Sequence, residues 1–297
     1  MKIFIKLLVG WAVLLLVSCG KKPASLKTGP LPEKSVSGQV LSISFNEPID
    51  TIDQQRAVYS SSFEIIGNMM DGLMQMADDG SVKKAICEEE TVSSDGLLYT
   101  FKLRKDVFWS NGEPVTAHDF VYGWQRAVDP ATESEYAFMM GDIAQVKNAG
   151  AIMTGKMEPN QLGVRAVDDY TFEVQLEVPV SYFDQLLYFC TFYPANEKFI
   201  KKVGDKYGTS AETYLCNGAF FLTEYKPDSS VTLVKNTAYY DASSVKLGGL
   251  HYIYVRNGDE ALRRYNRGEI DLVSLDGEQV KSEKEDPAFK AIDSGFL

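Results

Sequence analysis

The sequence predicts a mixed α/β fold, of the α+β kind, built in layers around a mixed β-sheet. Apolar and polar side chains alternate in several short stretches, as from Tyr99 to Leu103, which is typical of half-buried strands. Other stretches repeat apolar side chains at helical spacing, as from Phe120 to Val128. Because strands and helices intermix without strict alternation, a mixed sheet is favoured over a purely parallel one.

The first elements of the folded part are predicted to be a strand and a helix. Apolar residues alternate with serines from Leu41 to Phe45, and Pro48 follows, so a strand is expected at 41–45. A helix is expected from about Ser61 to Met76, because apolar side chains cluster on one side of it. These side chains are Phe63, Ile66, Met69, Met70 and Leu73.

A strand and a capped helix are predicted next. The turn dipeptide Asp95-Gly96 precedes the alternating stretch 99–103, which is therefore expected to be a strand. Thr116, with Asp119 three residues later, is a variant of the capping box. The apolar pattern that follows stops at Asp129-Pro130. We expect an amphipathic helix between these two signals, with its aromatic face on a core.

The second half of the chain carries further strand and helix signals. Strict alternation from Phe172 to Val178, after a turn at Asp168-Asp169, predicts a strand with one wet face. Ser181 and Asp184 repeat the capping variant and predict a second capped helix. Its apolar face would comprise Phe183, Leu186, Leu187 and Cys190. The later elements are expected to be strands at Val231–Val234, Leu250–Val255 and Ile270–Val273 and a helix at Asp259–Asn266 that ends at Gly268.

The first residues have the pattern of an export signal. Lys2 and Lys6 precede an apolar run from Leu7 to Val17 that is too short to span a membrane. The ending Leu-Val-Ser-Cys resembles a bacterial lipobox, which implies cleavage before Cys19 and a lipid on its sulfur. A plain signal peptide with an incidental cysteine is the alternative. Residues 19–38 are polar and rich in Pro, Gly and Ser, so they are expected to be a flexible tether between membrane and domain.

Net charge and cysteine spacing bear on which partners and bound groups are expected. The formal net charge of −11 argues against a nucleic-acid partner, which would require a basic face. No cofactor is expected, and no cysteine pair has the close spacing of a zinc or redox site, so no metal is expected either. Beyond Cys19 the chain has an odd number of cysteines, Cys87, Cys190 and Cys216. The candidate disulfide to test is Cys190 with Cys216.

An enzyme is the less favoured class. The chain has two histidines, His118 and His251, and neither lies in a nucleophile elbow or a metalloprotease helix motif. His118 falls at the start of the capped helix, where solvent exposure is expected. The acidic run Glu88-Glu89-Glu90 is expected to be solvated rather than catalytic. No catalytic residue is assigned.

The longest ordered pattern, residues 95–126, resembles the signature of extracytoplasmic solute-binding proteins of the oligopeptide and dipeptide class, family 5, which deliver peptides to ABC importers. The resemblance continues in order over about residues 41–275. Further phrases that carry it are Met70–Leu73, Gly163–Asp169, Glu177–Phe183, Cys216–Phe220 and Tyr265–Leu272. The sequence departs from the family at Lys84, Cys87 and Glu90, where Pro, Ala and Trp are usual.

The resemblance implies a domain organisation of the type II periplasmic-binding-protein kind. After the signal peptide, residues 1–18, and the tether, residues 19–38, the first lobe would comprise residues 39–70 and 195–297. Residues 71–194 would form a small additional domain. In the family the second lobe begins about where this sequence ends, so that lobe is expected to be missing and the chain truncated. We therefore expect weak peptide binding or none by the isolated chain.

The resemblance also implies site residues and partners. Family members close two lobes around an extended peptide, which is read through backbone pairing. Val58, Tyr59 and Ser60 resemble the edge that pairs with the peptide, and Tyr136 matches the family's pocket tyrosine. The alternative for Tyr136 is a buried core tyrosine with a satisfied hydroxyl. The implied partners are oligopeptides, the permease and ATPase of an ABC transporter, and the membrane through the lipid anchor. An exported surface lipoprotein with an interaction role, or a decayed gene product without transport activity, is the alternative function.

Overall fold

The computed structural model describes Gly29, residues 38–77 and residues 79–284. The predicted signal peptide, Cys19 and the tether except Gly29 and Gly38 lie outside the described residues. In chain order the helices and strands are β1 Val40–Phe45, α1 Ser60–Met69, β2 Met74–Met76, β3 Val82–Lys84, β4 Cys87–Val92, β5 Leu98–Leu103, α2 Ala117–Val128, α3 Ala149–Met153, β6 Val164–Asp168, β7 Thr171–Gln175, α4 Glu197–Val203, β8 Phe220–Lys226, β9 Ser230–Lys235, β10 Gly249–Tyr254, α5 Gly258–Asn266 and α6 Gly277–Glu283.

The first sheet is four-stranded, in the order β1-β10-β9-β8. β1 pairs in parallel with β10, whereas β10, β9 and β8 pair antiparallel, so the predicted mixed sheet is confirmed. The strand predicted at Ile270–Val273 is a single bridge, between Leu272 and Ile43 of β1. α1 packs against β8 of this sheet.

The second sheet is also four-stranded, in the order β4-β5-β7-β6, and every pair in it is antiparallel. α2 covers it, packing against β6 and β7. The rings of Phe120 and Trp124 on α2 lie 5.6 and 5.2 Å from the ring of Phe172 on β7, centroid to centroid. The aromatic face predicted for this helix therefore rests on a core, as expected. β2 and β3 form a separate two-stranded hairpin.

The two sheets share one hydrophobic core. Buried side chains from β1, α1, β5, α2, β7 and β9 belong to the same continuous cluster. The strands of the first sheet fall in residues 40–45 and 220–254, and those of the second in residues 87–175. The expected division into a first lobe and a small domain at 70/71 and 194/195 stays a prediction.

The helix predicted from Ser61 to Met76 is wrong beyond Met69, where α1 ends. The Asp71 N–H donates a hydrogen bond to Asn217 Oδ1 at 2.8 Å, and Asn217 Nδ2 donates to the Asp71 carbonyl at 3.2 Å. These two bonds take up backbone groups that a continuing helix would use. The chain is extended at Met70 and enters β2 four residues later.

The second capped helix, predicted from Ser181, is also wrong. The segment forms two 3-10 turns, Phe183–Leu186 and Cys190–Phe192, and Ser181 does not cap either of them. The preceding strand is shorter than predicted, since β7 ends at Gln175 and Val178 is 49% exposed. Burial of Phe183, Leu187 and Cys190 is nevertheless as the pattern implied.

The cysteines do not form the candidate disulfide. Cys87, Cys190 and Cys216 are all free thiols in the packed interior. Burial raises the pKa of Cys87 and of Cys216 to about 12, so both stay protonated.

In the part of the chain that the structure describes, no helix has the length and apolar character needed to cross a membrane.

Candidate functional site

The segment predicted to pair with a ligand, Val58 to Ser60, leads into α1. Tyr59 is the N-cap of that helix and has an extended backbone, with φ −85° and ψ 148°. The Val58 N–H donates to Asp50 Oδ2 at 2.9 Å, and Ser60 Oγ donates to Glu47 Oε2 at 2.7 Å. The segment is therefore tied to the turn before it, while the Tyr59 side chain remains 44% exposed.

The second predicted site residue, Tyr136, belongs to a group of four rings that we call the aromatic cluster: Phe63, Tyr136, Phe138 and Phe189. The Tyr136 ring lies 5.2 Å from that of Phe63, edge to face, and 5.1 Å from that of Phe189. Phe63 is one helical turn after Tyr59, whose carbonyl accepts from the Phe63 N–H at 3.1 Å. The fold thus brings Tyr136 to the helix start that carries the Val58–Ser60 segment.

The aromatic cluster is partly open to solvent. Tyr136 is half-buried, so it is not the enclosed core tyrosine of the alternative interpretation. Phe138 is 39% exposed, and its ring lies 5.7 Å from that of Tyr136. A half-exposed surface of four rings beside an extended backbone can receive an apolar side chain while the backbone pairs with a ligand.

Sequence reasoning missed two members of the cluster and assigned a third to the core. Phe63 was expected on the buried face of α1, whereas Phe138 and Phe189 carried no periodic signal. The turn that presents Tyr136 includes Glu133 with φ +56°, in the left-handed region, and a π-helical turn at Met139–Ile143 follows. Neither feature has a local sequence pattern. The pair Tyr136-Ala-Phe138, two aromatics close together after a Pro-containing turn, is the signal that was available.

A cavity of about 640 Å³ lies near this surface, between α2, the Asp129–Thr132 turn and α4. Its wall includes the Arg126–Asp53 ion pair, in which both terminal guanidinium nitrogens donate to the carboxylate. It also includes Arg56, two residues before Val58. Val58, Tyr59, Ser60 and Tyr136 do not line it. The cavity is therefore separate from the predicted site.

The described residues contain no cluster of three or more His, Cys, Asp or Glu side chains that could hold a metal ion. The His118 side chain is 65% exposed at the start of α2, with Nε2 3.4 Å from Asp169, as its sequence position indicated. His251 lies within β10, in register with Ser42 of β1 and Thr232 of β9.

Comparisons with known proteins show which family the chain resembles. Residues 81–295 match the model of the family described as bacterial extracellular solute-binding proteins, family 5 middle. The chain is 37% identical over 230 residues to the probable deoxycholate-binding periplasmic protein YgiS of Escherichia coli, covering 77% of this chain and 43% of that protein. It is 37% identical over 225 residues to the oligopeptide-binding protein OppA of Bacillus subtilis, covering 75% and 41% respectively.

A solved structure shows the same fold. Listeria monocytogenes OppA bound to peptide is 37% identical and superposes with a TM-score of 0.80, covering 84% of this chain and 49% of that one. The chain spans about half the length of the curated relatives and solved structures that it matches.

Proposed function

The chain belongs to the bacterial extracellular solute-binding proteins of family 5, and we propose on that basis that it binds extended oligopeptides for an ABC importer. The family consists of binders and not enzymes, and the fold is that of type II periplasmic binding proteins such as OppA. The observation that carries the proposal is the aromatic cluster next to the extended Tyr59.

The peptide would be read mainly through its backbone. The extended conformation at Tyr59 suits the addition of a peptide strand, in which main-chain hydrogen bonds supply affinity. Asp50 fixes the position of the segment, because its carboxylate accepts hydrogen bonds from the Val58 N–H and, at 2.5 Å, from Ser62 Oγ. The segment is therefore held in place before a ligand arrives, which lowers the entropic cost of binding.

One peptide side chain would rest on the aromatic cluster. Tyr136, Phe138 and Phe189 offer ring surface that is already partly desolvated, so an apolar or aromatic side chain gains contact area there. The permease and ATPase of the importer are the expected protein partners. This part of the proposal is supported by one solved relative, which is described as the substrate-binding domain of an oligopeptide ABC transporter from Bacillus anthracis.

The test is peptide binding by the protein as its own cells produce it. Isothermal calorimetry with tripeptides to pentapeptides should show tighter binding when one residue is Phe than when all are Ala. Tyr136→Ala should weaken binding of the Phe-containing peptide about tenfold, since loss of a central aromatic contact costs about 1–2 kcal/mol. The control is Tyr265→Ala, because Tyr265 is also a solvent-accessible tyrosine, 44% exposed, but lies on α5 outside the cluster.

Two results would contradict the proposal. One is an unchanged affinity in the Tyr136→Ala variant. The other is binding of deoxycholate with no measurable binding of peptides. That result would mean that the chain binds the ligand for which YgiS is named.

We also infer that the mature protein is held at the outer face of the membrane by a lipid on Cys19, with residues 19–38 as the tether. The basic start, the short apolar run and the Leu-Val-Ser-Cys ending support this inference. Cells fed a labelled fatty acid should incorporate the label into the wild-type protein and into Cys87→Ser, but not into Cys19→Ser. Retention of label in Cys19→Ser would refute the assignment.

A further inference from the structure

One acidic side chain on β4 is turned toward the protein interior. Glu90 is in register with Phe101 of β5, which is fully buried, and Cys87 is in register with the buried Leu103. Residues directly opposite in an antiparallel pair share a face of the sheet. The register shifts between Cys87 and Glu89, so a bulge places Cys87 and Glu90 on the inner face. With strict alternation Glu89 would have taken that position.

The group that meets Glu90 is a second carboxyl. Asp184, in the 3-10 turn Phe183–Leu186, lies next to Glu90, because its neighbour Phe183 packs on Tyr99 of β5, on the face of the sheet that Glu90 shares with Phe101. Asp184 Oδ1 is inaccessible to water and has no hydrogen-bond donor among the described residues. Two carboxylates this close cannot both be ionised without a large cost. One proton between them removes the repulsion and supplies the missing donor.

The turn that carries Asp184 is otherwise packed tightly on the sheet. The ring of Tyr99 on β5 lies 4.6 Å from that of Phe183, and the Tyr99 hydroxyl donates to the Val180 carbonyl at 3.3 Å. The same segment continues to Phe189, a member of the aromatic cluster. The carboxyl pair therefore sits where β4 meets the segment that leads to the candidate site.

The surroundings of the pair favour the protonated state. Burial, followed by the charge of Asp184, raises the pKa of Glu90 to about 7. The other ionisable groups that face the pair are Lys84 on β3, Cys87 and Glu88 on β4 and Tyr99 on β5. Burial raises the pKa values of Cys87 and Tyr99, so both are neutral near pH 7, and only Lys84 favours the ionised carboxylate.

We propose that Glu90 and Asp184 share one proton that fastens the Phe183–Leu186 turn to β4, and that loss of this proton loosens the segment leading to Phe189. The attachment of this turn to β4 is therefore linked to pH, and it is tighter in acid and weaker in base. The fastening does not depend on any ligand. A resulting pH dependence of ligand binding would rest on the function proposed above.

The sign of the effect follows from the two states of Glu90. In the unfolded chain the carboxyl loses its proton near 4.5, whereas in the folded protein it keeps the proton to about pH 7. Its contribution to stability is therefore complete below pH 4.5, declines between pH 4.5 and 7, and stays at its lowest value above pH 7. Desolvation also raises the pKa values of Glu64 and of the buried Asp71 and Asp119, so these carboxyls act in the same direction. Only a comparison of variants isolates the pair.

The experiment compares Glu90→Gln with Glu89→Gln, its neighbour on the exposed face of the same strand. Equilibrium unfolding is measured at pH 5 and at pH 8 for both variants and the wild type. An amide at position 90 donates to Asp184 at every pH, so the rise in the unfolding constant from pH 5 to 8 should be at least about tenfold smaller in Glu90→Gln. Glu89→Gln should follow the wild type.

Hydrogen exchange gives the local result. After correction for intrinsic rates, amides of residues 182–189 should lose protection between pH 5 and 7 in the wild type but not in Glu90→Gln. If Glu90→Gln fails to fold, Asp184→Asn supplies the donor from the other side and should flatten the same profile. Profiles parallel to the wild type in whichever of these variants folds would overturn the proposal. None of these measurements uses a ligand, so their failure is distinct from failure of the proposed function.

Discussion

At the scale of single residues, Arg126 and Asp53 form a buried ion pair. Their side chains are 14% and 4% exposed, and the two hydrogen bonds between them are 2.7 and 2.5 Å long. Gln55 completes the arrangement, because its Oε1 accepts from Arg126 at 3.0 Å and its N–H donates to Asp53. Removing one partner would leave a charge without compensation in a place that water hardly reaches.

We predict that Arg126→Met lowers the free energy of unfolding by about 3 kcal/mol, because Asp53 would then be a buried, unpaired carboxylate. Chemical denaturation at neutral pH measures this quantity. Arg56→Met is the matched control, since Arg56 pairs with Glu133 on the surface and the two side chains are 50% and 77% exposed. The control should cost less than about 1 kcal/mol. Equal losses in the two variants would show that burial of the pair is not decisive.

Single residues also show where a local sequence pattern is sufficient to predict a contact and where it is not. Asp119 accepts from the Thr116 N–H at 2.7 Å, so the predicted capping interaction at the start of α2 is confirmed. Glu90 is the opposite case. It was expected to be solvated with Glu88 and Glu89, and this was right for the two neighbours but wrong for Glu90. The cause is the bulge in β4, which a two-residue period cannot reveal.

At the scale of elements, α1 ends at Met69 because a distant part of the chain contacts the backbone at the C-terminal end of this helix. Asn217 is 1% exposed and brackets the Asp71 backbone with two hydrogen bonds. Gly218 follows in contact with Met69, and a Cβ at position 218 would lie 2.7 Å from the Met69 carbonyl carbon. The apolar pattern continues to Leu73, but these contacts stop the helix at Met69.

We predict that Asn217→Ala lowers the free energy of unfolding by about 2 kcal/mol, because the Asp71 N–H and C=O would remain buried without partners. Thermal or chemical unfolding measures the loss. Asn160→Ala is the comparison, since Asn160 is exposed and should change stability by less than about 0.5 kcal/mol. A loss below about 0.5 kcal/mol in Asn217→Ala would mean that the end of α1 is set by something else.

At the scale of the whole molecule, the segments predicted to form the first lobe and the small domain are in direct contact with each other. β1 pairs in parallel with β10, from opposite ends of the described sequence. Trp124 on α2 donates to the Phe192 carbonyl at 2.7 Å, and Arg126 on the same helix binds Asp53. The second of these contacts crosses the predicted boundary between first lobe and small domain. One continuous core links both sheets, so we expect interactions at this boundary to contribute to the stability of both parts.

The sequence by itself determined the elements whose signals are local. The strands β1, β5 and β9, the capped helix α2 and the helix α5 all lie where periodicity and capping residues predicted them. The mixed sheet followed from the same patterns, whereas the family was implied by the resemblance of ordered residue strings, above all residues 95–126. These features depend on neighbours within a few residues, so one sequence read along its length contains them.

Only the tertiary structure decided how distant segments meet. The aromatic cluster joins Phe63, Tyr136 and Phe189, which no shared period connects, and the Glu90–Asp184 pair depends on one extra residue in a strand. The segment after Ser181 carried a capping pattern but forms 3-10 turns packed on Tyr99. In each case the outcome is set by packing between parts far apart in the chain, and local propensity is too weak to oppose it.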